Sequence, residues 1–224
     1  MIRPFVVRPL VRAGLRLVAG GAVVAALSGC SLLSTPDPVQ NYRFGLPMDA
    51  PSAVGDTPAP LTVSIRRIEF PQAAGDDRIL GVTGLETAYI GGARWVSPAS
   101  TLFDDSLKAA FANRADRIRV LGRREPGTPP MVLQVTVTTF EARYAAAGAT
   151  PDVVITAQAQ LRTTPERQAG GAAIRPEQGR SVERVFTVTQ PAAENRISAI
   201  VAAFDTATRD INTQIADWTI QSGS

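Results

Sequence analysis

Cys30 is the only thiol in the chain, and it directly follows Leu27, Ser28 and Gly29. Small residues before a cysteine let a peptidase approach the backbone, and a thiol so placed is a nucleophile open to modification. Carboxylates offer a second chemistry, because Asp76-Asp77 and Asp104-Asp105 are adjacent acids of the kind general acid–base catalysis uses. Neighbouring residues point in different directions on a strand or a helix, so neither pair converges on one substrate. Both read as solvated loop or helix surface. No histidine occurs anywhere, which removes the usual base near neutral pH and the commonest metal ligand. No serine sits in a Gly-x-Ser-x-Gly setting, and Gly91-Gly92 has no following Gly-Lys-Ser/Thr. A serine triad and a P-loop are therefore both absent. The expectation is a chain with no catalytic residue, no cofactor and no metal.

What positions Cys30 is the segment before it. Arg3, Arg8, Arg12 and Arg16 occur there without an acid, and an uncharged stretch from Leu17 to Leu27 follows. That is the basic n-region and apolar h-region of a secretory signal. The uncharged stretch is 11 residues long and holds Gly20 and Gly21, whereas a membrane-spanning helix takes about 20 apolar residues. Leu27-Ser28-Gly29-Cys30 at its end resembles the lipobox of bacterial lipoproteins. Cleavage before Cys30 and acylation of its thiol would give a lasting membrane anchor, each buried CH₂ contributing about 0.8 kcal/mol. Ser31, in place of Asp, implies delivery to the inner leaflet of the outer membrane under the sorting rule of enteric bacteria.

Removal of the signal also resets the charge. The whole chain carries 23 basic and 20 acidic residues, a formal +3. The four signal arginines leave 19 basic residues against 20 acids, so the mature chain stands at −1. Its basic character belongs to the targeting segment, and no nucleic-acid footprint is expected. With one cysteine, an intramolecular disulfide is impossible.

From Ser31 to Pro60, Pro36, Pro38, Pro47, Pro51, Pro58 and Pro60 are mixed with small residues, the composition of an extended tether. Asn41 to Leu46 interrupts it with Tyr42 and Phe44, which either add a strand to the domain that follows or rest on its surface. Leu61 to Arg66 alternates strictly, a half-buried strand continuing to Pro71. Ile79–Val82 and Leu85–Ile90 read as a strand pair or a bent strand, with a hairpin turn at Gly91-Gly92. Ser97 is the expected N-cap of a helix over about 98–114, with Leu102, Phe103, Leu107, Ala110 and Phe111 on its apolar face. Segments 117–121, 131–140, 153–161 and 182–188 alternate as strands. The glutamines at 158 and 160 predict a solvated second face, and 163–179 reads as a long hairpin loop. Pro191 is expected to open a final helix with Ile197, Ile200, Val201, Phe204, Thr208, Ile211, Ile215 and Trp218 on one face. Trp95 and Trp218 read as core before they read as lipid or partner anchors. The fold expected is α+β, a mostly antiparallel sheet with two amphipathic helices packed on one face. The organisation is a signal at 1–29, a lipidated tether at 30–60 and a domain at 61–221.

Tyr42-Arg43-Phe44, Ile65, Glu69-Phe70-Pro71, Asp77-Arg78-Ile79-Leu80, Ala93-Arg94-Trp95-Val96-Ser97-Pro98 and Ile215-Ala216-Asp217-Trp218, in this order of elements, resemble the ABC-type transport auxiliary lipoproteins. These are similar to the lipoprotein component of paraquat-inducible intermembrane transport systems. The likeness spans about residues 30–220. One departure is Gln72-Ala73 after Pro71, where the family often has a tyrosine. The resemblance implies non-enzymatic work at the periplasmic face of the outer membrane: partnership with a mammalian-cell-entry (MCE) protein whose permease and ATPase are separate chains, moving lipids or other hydrophobic molecules between membranes. Two other readings stand beside it, an outer-membrane assembly lipoprotein binding a β-barrel or cell-wall partner, and a periplasmic hydrolase.

Overall fold

A computed structural model describes residues 38–45, 61–122, 129–163 and 179–224. The signal, most of the expected tether and most of the 163–179 loop lie outside the described residues. Eight strands and two helices follow in the order β1 (Gln40–Tyr42), β2 (Leu61–Ile65), β3 (Arg78–Thr83), β4 (Glu86–Trp95), α1 (Ala99–Ala112), β5 (Ile118–Val120), β6 (Met131–Tyr144), β7 (Asp152–Thr163), β8 (Arg180–Pro191) and α2 (Ile197–Gly223). Of the two alternatives for Asn41 to Leu46, the strand is observed: β1 lies parallel to β4, with Tyr42 beside Trp95.

The sheet branches around β6. One edge of β6 pairs with β7 along its length, and β7 pairs with β8. The other edge is shared: Met131 to Leu133 pairs with β2, which leads to β5, and Ala142 to Tyr144 pairs with β3, which leads to β4 and β1. Between the two arms, Arg66 and Glu69 donate backbone hydrogen bonds to Leu133 and Val135. The α+β class expected from the sequence is observed, but the sheet is mixed. Four of the seven strand pairings are parallel, β1–β4, β2–β5, β2–β6 and β3–β6, which corrects the mostly antiparallel expectation. Alternation reports which face a strand buries and says nothing of its direction. The antiparallel expectation holds for the long β6–β7–β8 meander.

One face of the meander is buried. Leu133 opposes Leu161, Val135 opposes Ala159, Phe140 opposes Ile155, and Ala157 opposes Phe186, all within the core. A register shift between Val137 and Thr139 adds one residue to β6. Such a bulge switches inward positions from odd to even numbers, which is why Phe140 and Ala142 are buried after Val135 and Val137. The other face carries Gln134, Thr136, Gln158, Gln160 and Thr187, none of them buried, as the glutamine positions predicted.

Three local expectations are corrected. The hairpin between β3 and β4 turns at Gly84, where φ is +59°, not at Gly91-Gly92. Those two glycines lie inside β4, at the irregularity where Arg78 opposes Arg94 and Leu80 opposes Tyr89. Gly92, with φ +72°, supplies a conformation that side-chain-bearing residues avoid. Ser97 makes no side-chain cap for α1. The first amides of the helix, Ala99 and Ser100, instead donate to the backbone carbonyls of Asp76 and Gly75. Pro191 ends β8 rather than opening α2, which begins at Ile197; proline lacks the N–H a continuing ladder would need.

Candidate functional site

Phe140 lies at the meeting point of the sheet's two arms. Its ring centroid is 4.9 Å from Phe204 of α2, 5.3 Å from Phe44, 5.3 Å from Phe70 and 6.5 Å from Phe103 of α1. Trp95 extends the cluster, edge-on to Phe44 at 4.8 Å and to Phe204 at 5.4 Å. Each such pair adds about 0.5–1.5 kcal/mol to the burial of its rings. These aromatics come from six separated stretches of chain, and Tyr42-Arg43-Phe44, Glu69-Phe70-Pro71 and Trp95 are among the residues that carry the family likeness. Their common work is to hold β1, the β2–β3 connection and the start of α1 against α2.

The surrounding polar contacts serve the same end. Trp95 N–H donates to the Asp77 carbonyl at 2.7 Å, and Val96 N–H donates to the Tyr42 carbonyl at 2.8 Å. Arg94 Nη1 reaches both carboxylate oxygens of Asp77, at 3.1 and 2.9 Å. Beyond Phe44 the chain enters Gly45, whose amide donates to Asp205 Oδ1 at 2.7 Å. Gly45 has φ +71°, and a Cβ there would lie 2.6 Å from Ser106 Cβ. Only glycine lets this segment approach both helices so closely. At the far end of α1, Arg114 Nε and Nη2 bind the two oxygens of Asp217 at 2.5 and 2.9 Å, and Nη1 donates to the Ala110 carbonyl.

One acid of each adjacent pair makes an ion pair. Asp77 is engaged with Arg94, the Asp76 carbonyl accepts from α1, and Asp104 pairs with Lys108 one turn on. The segment joining β2 to β3 borders a shallow depression of about 440 Å³ that includes Arg67, Glu69 and Asp76. Glu69 is held there by Gln134 and Thr136. Burial lifts the Tyr144 phenol above its ordinary 10.0. Trp95 and Trp218 are 2% and 8% exposed, core residues as expected. Leu27, Ser28, Gly29 and the lipid-attachment candidate Cys30 lie outside the described residues.

Four features went unread in the sequence. The Arg114–Asp217 clamp and the Asp205–Gly45 bond join residues more than 100 positions apart, which no local pattern reports. Among the described residues, Trp95 Nε1, Thr208 Oγ1 and both amide atoms of Asn212 are buried polar atoms without a partner. Thr208 falls on the apolar stripe of α2, and its polarity was the available signal. The fourth is the open edge of β8.

Residues 42–216 match the family described as the ABC-type transport auxiliary lipoprotein component. The chain belongs to this family. Among solved structures it is similar to a DUF330-family protein of Xanthomonas campestris, with 21% identity and a TM-score of 0.56 over 85% of this chain and 90% of that one. An uncharacterized protein is similar at 16% identity with a TM-score of 0.59, over 81% and 98% of the two chains. At these identities the structural likeness concerns the fold alone. No curated protein matches the chain. The family match covers both halves of the aromatic cluster, from Tyr42 on β1 to Ala216 on α2.

Proposed function

We propose that this transport auxiliary lipoprotein is anchored through a lipid on Cys30, faces the periplasm from the outer membrane, and docks without catalysis on the MCE protein of an intermembrane transport system. Permease and ATPase are separate chains in this reading, and the cargo is lipid or another hydrophobic molecule. The observation that carries it is the family match over residues 42–216, joined to a lipobox that ends a signal-like segment. Physical chemistry is consistent with a docking role. The sequence has no P-loop pattern, so energy must come from another chain. One acid of each pair, Asp77 and Asp104, is engaged in an ion pair, and the cluster of rings fixes elements in place. Ser31 after the cysteine supports the outer membrane as the destination.

Crosslinking in cells tests the partner: recovery of an MCE protein is expected, and recovery of barrel-assembly proteins alone would overturn the transport reading. Replacing Cys30 by Ala tests the anchor. The variant should move to the soluble periplasmic fraction, and its retention in membranes would refute lipidation at Cys30.

A further inference from the structure

The branched sheet has three ends, and two are guarded by shortness, since β1 and β5 are three residues each. The third end, β8, is 12 residues long. It pairs with β7 without a register shift, and no strand pairs with its other edge among the described residues. Backbone N–H and C=O groups along such an edge are a template for another strand. Two of the usual protections are missing, since β8 has no bulge and its one proline, Pro191, stands at the strand's end; its charged side chains remain to select what can pair there.

Side chains define which strand fits. Glu183, the only acid of β8, is held on the polar face by the Gln158 side-chain amide. Arg180 and Arg184 share the opposite face with Phe186 and Val188, are exposed, and form no ion pair among the described residues. The Arg184 guanidinium sits 5.1 Å over the Phe186 ring, and Val185 is 60% exposed on the other face. The two arginines are four residues apart, about 13 Å along a strand. A second β8 would bring two more arginines and no free carboxylate, so charge disfavours a copy of this chain.

We propose that the open edge of β8 accepts an extended segment of a partner protein as an added strand, with acidic side chains opposite Arg180 and Arg184 and an apolar one opposite Val185. The backbone supplies affinity, and the arginine pair supplies selectivity. This inference stands apart from the identity of the transport partner.

The test uses the full chain and a ten-residue peptide of alternating Val and Thr, with Glu placed to face Arg180 and Arg184. Its controls are a peptide with Lys at those positions and an acidic peptide N-methylated on alternate amides. The acidic peptide should bind and slow amide hydrogen exchange across residues 180–191. The Lys peptide should bind at least about tenfold more weakly, and the methylated one should fail. The Arg180→Glu, Arg184→Glu variant should invert the preference, and Arg180→Gln, Arg184→Gln should abolish it, both with an unchanged thermal melt. Equal binding of the Glu and Lys peptides, or protection outside β8, would overturn the proposal. So would sedimentation showing a dimer of the free chain with β8 amides already protected, since a second copy would then occupy the edge.

Discussion

Thr208 and Thr219 offer a matched pair within one helix. Both are 0% exposed on α2. Thr219 Oγ1 donates to the Ile215 carbonyl at 2.8 Å, whereas Thr208 Oγ1 has no partner among the described residues. Valine replaces the hydroxyl by a methyl group, keeps the branch at Cβ, and has nearly the same helix propensity. A buried hydroxyl without a hydrogen bond costs about 1–3 kcal/mol. Thr208→Val should therefore stabilise the protein by about that amount. For a chain of this size each kcal/mol moves the melting temperature by roughly 2–4 °C, so a rise of several degrees is expected. Thr219→Val removes a made hydrogen bond and should cost about 0.5–1.5 kcal/mol. The prediction is thus a difference in sign between two identical substitutions. Urea titration followed by circular dichroism measures both, with equal slopes confirming that only stability changed. Destabilisation by Thr208→Val as large as that by Thr219→Val would refute the reasoning, because it would mean that the Thr208 hydroxyl is bonded.

Further outcomes follow from the contacts around Gly45, Arg114 and Tyr144. Gly45→Ala should cost at least about 2 kcal/mol, combining a left-handed backbone with a Cβ pressed on buried Ser106; thermal melts check it, and a neutral result would contradict the close approach. Arg114→Ala and Asp217→Asn should each cost about 1 kcal/mol, because the pair is bidentate yet Asp217 is 42% exposed. A double-mutant cycle should show coupling of about 0.5–1 kcal/mol that weakens with salt. Tyr144, with its phenol raised above 10.0 by burial, contributes stability that is full below 10.0 and is lost as pH climbs from there through the raised folded value. Melts between about pH 9 and 11 should therefore fall more steeply for the natural chain than for Tyr144→Phe.

The helices were legible because period is a direct signature of a buried face. The stripe from Ile200 to Trp218 predicted which side of α2 is covered, and alternation located β2 and β5 to β8. Strand direction was not legible, since a parallel and an antiparallel neighbour bury the same alternate residues. The branch in the sheet was hidden for a related reason: it depends on β6 being long enough to serve two partners on one edge. Gly91-Gly92 resembles a turn and is a strand irregularity, because a positive φ serves both. Ser97 has the right type for a cap, but the carbonyls of Gly75 and Asp76 reach the α1 amides first. The ring cluster at Phe140 needed a bulge at Thr138 to turn that side chain inward, and no residue type announces such a bulge. The lipid attachment proposed at Cys30 rests on four adjacent residues of sequence alone, which lie outside the described residues.

Direct binding between the purified chain and the periplasmic part of the MCE protein is the measurement that tests the account most closely. Titration at micromolar concentrations should show saturable binding that does not require nucleotide. Absence of binding by a folded chain, with Phe44, Trp95 and Phe140 packed as described, would contradict the docking role.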